Sequence, residues 1–500
     1  MLKRPDFWRN LALVKTEMET EACRDAFVQT TMAMLEAHIE VVDDFLSGRL
    51  VLGRDVAPPR QQRQVPHAEV PLDREQVAAL EQIMSRVHDA IGAKFAEQPV
   101  QAHSALAILG PAGSGKTTSV ETSIRQTVAA GGNVLIACPT GMQASRFREK
   151  FPDLDVDTVH GAFLLHKPEQ QAMHILEDYD LVVVEECGQL SAETFERILR
   201  THDAAGERPA LVFVGDFYQL RGVEPTRATD SPRWARDVTK YTLHTMRRCK
   251  CDKLKKKLEL LRTAKPDARQ LTDLLRRHRA PKQRAPGDPT QPGDREQPSL
   301  EDIQQIFAET PDTTFVAITK AGTEYLNQMC LEAQFSGEVP AAVIPGDPEA
   351  LPSNFRSGKQ VAWECPEVPI FPGMKLTLTK NVNKEADYVN GMPCTVLEAR
   401  KSGIRVQTAS GRYLVIYPYT EAWEDAEGWR YSFTYFPCRV GYATTLHKVQ
   451  GATLAHMTMW LDKPNIEAAG YVALSRVQHD ADWCFVGQLT RHHFTPASGV

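Results

Sequence analysis

The sequence predicts an α/β fold of two parallel-sheet lobes, and three observations carry that expectation. Short, branched-rich apolar runs (SALAILG, NVLIACPT, DLVVVEE and ALVFVGD) recur with helix-length segments between them. Such runs lack the alternation of a one-sided strand, so they suit parallel strands covered by helices on both faces. The same rhythm returns at TTFVAITK and again at RVGYATTLHK, and 500 residues are too many for one core.

In chain order, residues 1–52 are expected to form a helical N-terminal extension, because Phe27, Met34, Leu35, Ile39, Val42 and Phe45 recur at helical spacing. A linker rich in Pro, Gln and Arg fills 53–70. The first lobe spans 71–245. The second is assembled from 246–264, 301–379 and 438–500, around two interruptions. One, 265–300, loses apolar periodicity among basic residues and prolines and is expected to be disordered. The other, 380–437, is strand-rich and carries the turn pair Asn390-Gly391. No solenoid-length repeat appears.

The composition, 42% hydrophobic and 24% charged, is that of a soluble globular chain. With no run of eighteen apolar residues, no membrane span or membrane partner is expected, and the start does not read as a secretory or transit signal. Ten cysteines, several inside apolar runs, read as buried free thiols of a reducing, intracellular compartment. Cys249 and Cys251 have no second pair at zinc spacing and read as structural. A net charge of -6 means that any contact with a polyanion must come from local grooves.

The sharpest motif is Gly110-Pro-Ala-Gly-Ser-Gly-Lys116-Thr117, placed between an apolar strand and a helix. Its glycines let backbone N–H groups converge on phosphates, Lys116 reaches the β and γ phosphates, and Thr117 can ligate Mg²⁺. A nucleoside triphosphate, ATP or GTP, is implied. Next, Leu181-Val-Val-Val-Glu185-Glu186 delivers two carboxylates to a strand's C-terminal end, where open parallel sheets bind ligands. One would hold the metal and the other would polarise the attacking water. Phe213-Val-Gly-Asp216-Phe-Tyr-Gln219 ends a further strand with an acid and an amide that could sense the γ-phosphate, the alternative being an ordinary strand exit with Asp216 capping the turn.

Taken in order, Leu72-Asp-Arg-Glu-Gln76, the phosphate loop, Cys138-Pro-Thr-Gly-Met-Gln-Ala, Thr158-Val-His160, VVVEECGQL, VGDFYQL, Met246-Arg247-Arg248, Tyr442-Ala-Thr-Thr-Leu-His-Lys-Val-Gln450-Gly451 and Tyr471-Val-Ala-Leu-Ser-Arg476 resemble the superfamily 1B DNA helicases. The Pif1-like group is the nearer branch and the RecD-like group the next. The resemblance runs from about Pro71 to the C-terminus. It implies two RecA-like P-loop NTPase lobes with a small β-barrel inserted in the second, and a motor that couples ATP hydrolysis with Mg²⁺ to 5′ to 3′ movement on single-stranded DNA and to unwinding of tailed duplexes. Roles in repair, recombination or telomere maintenance would follow, in the nucleus or mitochondrion of a eukaryote or the cytoplasm of a bacterium.

By the same resemblance, Gln76 would read the adenine edge, and Gly110, Gly113, Ser114, Gly115, Lys116, Thr117, Thr118 and Gly451 would line the nucleotide. Thr117 and Glu185 would hold Mg²⁺, Glu186 would be the catalytic base, and Gln219 would couple the γ-phosphate to the DNA site. Arg247 and Arg476 would be arginine fingers, with Arg248 the rival for the first. Pro139, Thr140, Gly141, Thr158 and His160 would contact the strand from the first lobe, and Thr445, His447, Lys448 and Gln450 from the second. Two departures stand out: Glu185-Glu186 replaces the family's Asp-Glu, and Gln219-Leu-Arg-Gly replaces Gln-Leu-Pro-Pro. The competing readings are an ATP-binding remnant that clamps nucleic acid, or a mobile-element helicase module, and an RNA-directed motor.

Overall fold

The computed structural model describes residues 71–96, 105–172, 174–206, 208–222, 224–281, 297–347, 365–383, 387–424 and 430–498. The expected N-terminal helices and linker, 1–52 and 53–70, lie outside the described residues.

The first lobe opens with helix α1, Arg74–Ala96, capped reciprocally by Asp73 and Gln76. Six strands follow: β1 Ala105–Leu109, β2 Val134–Cys138, β3 Asp155–Thr158, β4 Leu181–Val184, β5 Ala210–Gly215 and β6 Val238–Thr242. They form one sheet in the order β3-β2-β4-β5-β1-β6, parallel throughout. Strands β2, β4 and β5 are buried along their whole length, which is why their sequences show no alternation. Each face carries its own apolar core, one around Ile83, Val120, Ile124 and Ile136, the other around Phe163, Phe195, Phe213 and Trp234. Because β1, β5 and β4 are neighbours, the segments leaving their C-terminal ends are brought side by side.

The second lobe begins after β6 with helix α2, Asp252–Thr263, and helix α3, Ala268–Leu275. The latter corrects the expectation of disorder from residue 265. Asp267 and Gln270 form a capping box, Leu274 is buried, and Arg279 makes an isolated bridge to Phe485. Three leucines on one face suffice to dock this short helix, although its surrounding charge hides them in the sequence. Residues 282–296 of that stretch lie outside the described residues. Helix α4, Leu300–Glu309, β7 Thr314–Ala317 and helix α5, Lys320–Phe335, then resume the α/β pattern.

The insertion follows. β8 Ala342–Pro345 pairs with β9 Glu367–Ile370, while β10 Lys375–Leu378, β11 Pro393–Arg400, β12 Gly403–Thr408, β13 Tyr413–Ile416 and later β16 Cys438–Val440 form an antiparallel sheet. The hairpin of β14 Tyr419–Glu424 and β15 Arg430–Tyr435 lies between them in sequence. The sheet order is β13-β12-β11-β10-β16. The antiparallel unit therefore exceeds the expected 380–437 by one strand at each end, because β10 and β16 pair with each other across the whole excursion. Its core, with Leu376, Val396 and Ile404, is continuous with the packing under α4 and α5. The chain returns through β17 Ala443–Thr445, β18 Met457–Trp460 and β19 Trp483–Phe485, which join β7 in a parallel sheet ordered β17-β7-β18-β19.

Candidate active site and nucleic-acid interface

The loop after β1 carries the phosphate-binding motif, and its backbone explains the glycines. Gly113 and Gly115 have φ of 74° and 84°, a left-handed conformation that glycine adopts without strain. Space is also short: a Cβ on Gly113 would collide with Arg248 Cβ, and one on Gly115 with Gln76 Nε2. Helix Lys116–Ala129 starts immediately afterwards, so its free N–H groups face the loop. Lys116 Nζ donates to the carbonyls of Gly110 (2.8 Å) and Pro111 (3.0 Å), and desolvation lowers its pKa against the pull of Asp216, Glu186 and Glu185. Ser114 Oγ is buried without a partner, whereas Thr117 is exposed, and Thr118 lies in the same first turn.

Glu185 and Glu186 leave β4 toward this loop. Glu185 is 7% exposed, its Oε1 has no hydrogen-bond partner, and burial, reinforced by the neighbouring Glu186, pushes its pKa up to about 8. Glu186 occupies the left-handed region at φ 51°, ψ 48°, and its Oε2 is also buried without a partner. A non-glycine residue held there costs about 1–3 kcal/mol, and such strain concentrates at functional positions. An orphaned, desolvated carboxylate beside a phosphate loop is a fitting donor for a divalent cation.

The other lobe closes the site. Arg476 is 1% exposed; it donates to Gln219 Oε1 (3.4 Å), Ser475 Oγ (2.7 Å) and the carbonyls of Val472 and Val449, and burial brings its pKa down to about 10. Gly451, with φ 79°, approaches Glu186 so closely that a Cβ would lie 3.2 Å from Oε1. Gln143 Nε2 donates to the Gln450 carbonyl (3.1 Å), while Gln143 Oε1 and both ends of the Gln450 amide are buried without partners. Buried polar atoms without partners thus come from both lobes.

The two neighbouring arginines take different partners. Arg247 is not turned toward the acids of β4: it pairs with Asp73 and Glu75 (3.3 Å) and donates to the carbonyls of Ser114 and Thr245. Arg248 is the one that senses Glu186, Tyr471 and Arg476, and it donates to the Ser475 carbonyl at 3.2 Å. Their main-chain N–H groups share one acceptor, Gly113 O, while their side chains take different partners. Gln76 also contacts the loop. Its Oε1 accepts the Asp73 N–H and its Nε2 donates to Gly115 O (3.2 Å), so here it clamps the phosphate loop.

Tyr471 and Arg262 were given no role by the residue pattern, and Asp216 was read only locally. Tyr471 Oη accepts the Ala112 N–H (2.8 Å) and donates to Asp216 Oδ2 (3.1 Å), while Arg262 reaches Asp216 Oδ1 at 3.2 Å and stacks on Tyr218. Asp216 does cap the turn, accepting the Tyr218 N–H, but it also joins the lobes. The only sequence signal was the position of Tyr471 at the head of its motif.

A cavity of about 630 Å³ lies between the lobes and the inserted sheet, lined by Pro139, Thr140, Gly141, Thr158, His160 and Lys448 among others. Six of the nine expected strand-contact residues therefore share one groove; Thr445, His447 and the buried Gln450 do not line it. Thr140 and Thr158 each cap a helix, accepting from Gln143 N and Gly161 N, so two helix N-termini open there. The pattern missed Arg146, Lys375, Thr377, Asn381, Asn390 and Tyr442, which also line it.

These features define a P-loop NTPase whose site is completed by a second parallel-sheet lobe. The AAA domain family matches residues 93–282. A segment of 94 residues, 18% of the chain, is 38% identical to the ATP-dependent DNA helicase Pif1 of Bdellovibrio bacteriovorus, and the match spans 21% of that protein's length. The solved Pif1 helicase from Bacteroides in complex with ADP-AlF3 and ssDNA is similar over 83% of this chain and 93% of its own, at 18% identity and a TM-score of 0.59. Pif1 helicase from Candida albicans is similar over 86% and 98%, at 18% identity and a TM-score of 0.58. The chain shares the fold of these Pif1 helicase structures, two RecA-like lobes with a β-sheet domain inserted in the second.

Proposed function

We propose that this chain is an ATP-dependent DNA helicase that moves on single-stranded DNA, 5′ to 3′, and unwinds tailed duplexes. The observation that carries the reading is the buried contact of Arg476 with Gln219: a cation from one lobe meets the amide that follows β5 in the other, beside Glu186 and the phosphate loop. In this reading Lys116 and the loop amides bind the β and γ phosphates of ATP, Glu186 orients the attacking water, and Arg476 with Arg248 neutralises charge on the transferring phosphoryl group. Glu185 and Thr117 would hold Mg²⁺, which when bound offsets phosphate charge. The groove of hydroxyl, amide and helix-end donors suits sequence-blind backbone contact. The relatives named for DNA unwinding and single-strand binding support DNA as the polymer. Hydrolysis rates with and without single-stranded DNA or RNA, then displacement of strands with 5′ or 3′ tails, test it. Equal stimulation by RNA would favour an RNA-directed motor, and nucleic-acid binding without hydrolysis would favour a clamp.

A further inference from the structure

The inserted sheet carries a feature that none of the helicase motifs includes. Lys375 on β10 stands opposite Thr395 on β11, Thr395 opposite Gln407 on β12, and Gln407 opposite Tyr413 on β13. Directly opposed residues in antiparallel strands project from the same face, so the four side chains form one row across four strands, about 14 Å long at the usual strand spacing. The first three line the interlobe groove. The fourth lies one strand beyond it and is 64% exposed, the most exposed large aromatic ring among the described residues. Arg405, two residues before Gln407 and so on the same face, is also exposed.

We propose that this row continues the single-stranded nucleic-acid path out of the groove and over the inserted sheet, ending with a base stacked on Tyr413. The inference rests on the nucleic-acid reading above. Its chemistry is that of a single-strand platform: a cation at the groove end, a hydroxyl and an amide for phosphate and sugar, and a flat ring that accepts any base, with Arg405 beside it for a phosphate. A duplex would offer Tyr413 no free base face, so the occupant is an unpaired strand.

The test measures affinity of the full chain for single-stranded oligonucleotides of increasing length, comparing the parent with Tyr413→Ala and Tyr413→Phe. Affinity for short oligonucleotides should be equal in all three. For those long enough to leave the groove, Tyr413→Ala should bind between about 5-fold and 150-fold more weakly, the usual worth of one stacked base, and Tyr413→Phe should match the parent. Equal affinity of Tyr413→Ala at every length, or the same loss at every length, overturns the extended path while leaving the groove intact. A parent that binds no single strand overturns the nucleic-acid reading itself, and this inference with it.

Discussion

Tyr471 and Asp216 are joined across the interlobe cleft by a hydrogen bond of 3.1 Å, and the same hydroxyl accepts the N–H of Ala112 in the phosphate loop at 2.8 Å. A single oxygen of the second lobe therefore touches both the loop that binds phosphate and the acid at the end of β5. Each contact exists only while the lobes are together, so the state of one lobe is available to the other.

Tyr471→Phe should uncouple them. With the ring kept and the oxygen removed, nucleic-acid stimulation of hydrolysis is expected to fall about 10-fold, the scale of a hydrogen bond to a charged group. Unstimulated hydrolysis should stay within about 2-fold. An equal fall of both rates would show damage to the phosphate loop instead.

Asp216→Ala removes a buried carboxylate that pairs with the partly exposed Arg262 and accepts the Tyr471 hydroxyl, and losing such a hydrogen-bonded group costs about 1–3 kcal/mol. Chemical denaturation should show that loss, and Asp216→Leu combined with Arg262→Met should recover most of it. A mild single variant would mean that Arg262 finds water or another partner.

Lys116→Ala should abolish hydrolysis, since no other side chain in the loop supplies a cation to the β and γ phosphates. Steady-state phosphate release at saturating ATP checks this, and retained turnover would remove the loop from the mechanism.

The two neighbouring arginines should separate cleanly. Arg248→Ala is expected to lower turnover by about 10³-fold or more with near-normal ATP binding, the usual effect of losing an arginine finger. Arg247→Ala should instead weaken ATP binding, because Arg247 ties the Ser114 carbonyl to Asp73 and Glu75. Nucleotide affinity and single-turnover rates, measured for both variants, would expose a reversed assignment.

Glu185 gives a pH dependence. Its pKa is raised in the folded chain to about 8 from the ordinary 4.5, so the native state holds a proton that the unfolded chain has lost. That contribution to stability is complete below about 4.5 and is lost as pH rises through about 8. Divalent metal competes with the same proton, so the Mg²⁺ concentration for half-maximal hydrolysis should fall as pH rises toward 8, and Glu185→Gln should flatten the trend. Glu185→Asp should be tolerated and rescued by more Mg²⁺, while Glu186→Asp, which withdraws the base from its water, should be severe and unrescued. A trend unchanged in Glu185→Gln would exclude Glu185 as the metal-side carboxylate.

Local chemistry made much of this protein legible in its sequence. The glycines of the phosphate loop, the apolar runs of β2, β4 and β5, and the paired acids after β4 each depend on neighbours a few residues away, so pattern alone reveals them. The motif order named both Arg476 and Gln219, and the two side chains meet in a buried contact. Tertiary packing decided the rest. Arg247 pairs with Asp73 and Glu75 while Arg248 reaches the Ser475 carbonyl, a difference set by residues remote in sequence, and the helix over 268–275 depends on a pocket for Leu274. The row from Lys375 to Tyr413 exists only through strand register. These are relations between residues far apart in the chain, set by close packing and hydrogen-bond satisfaction in three dimensions, and no local pattern encodes them.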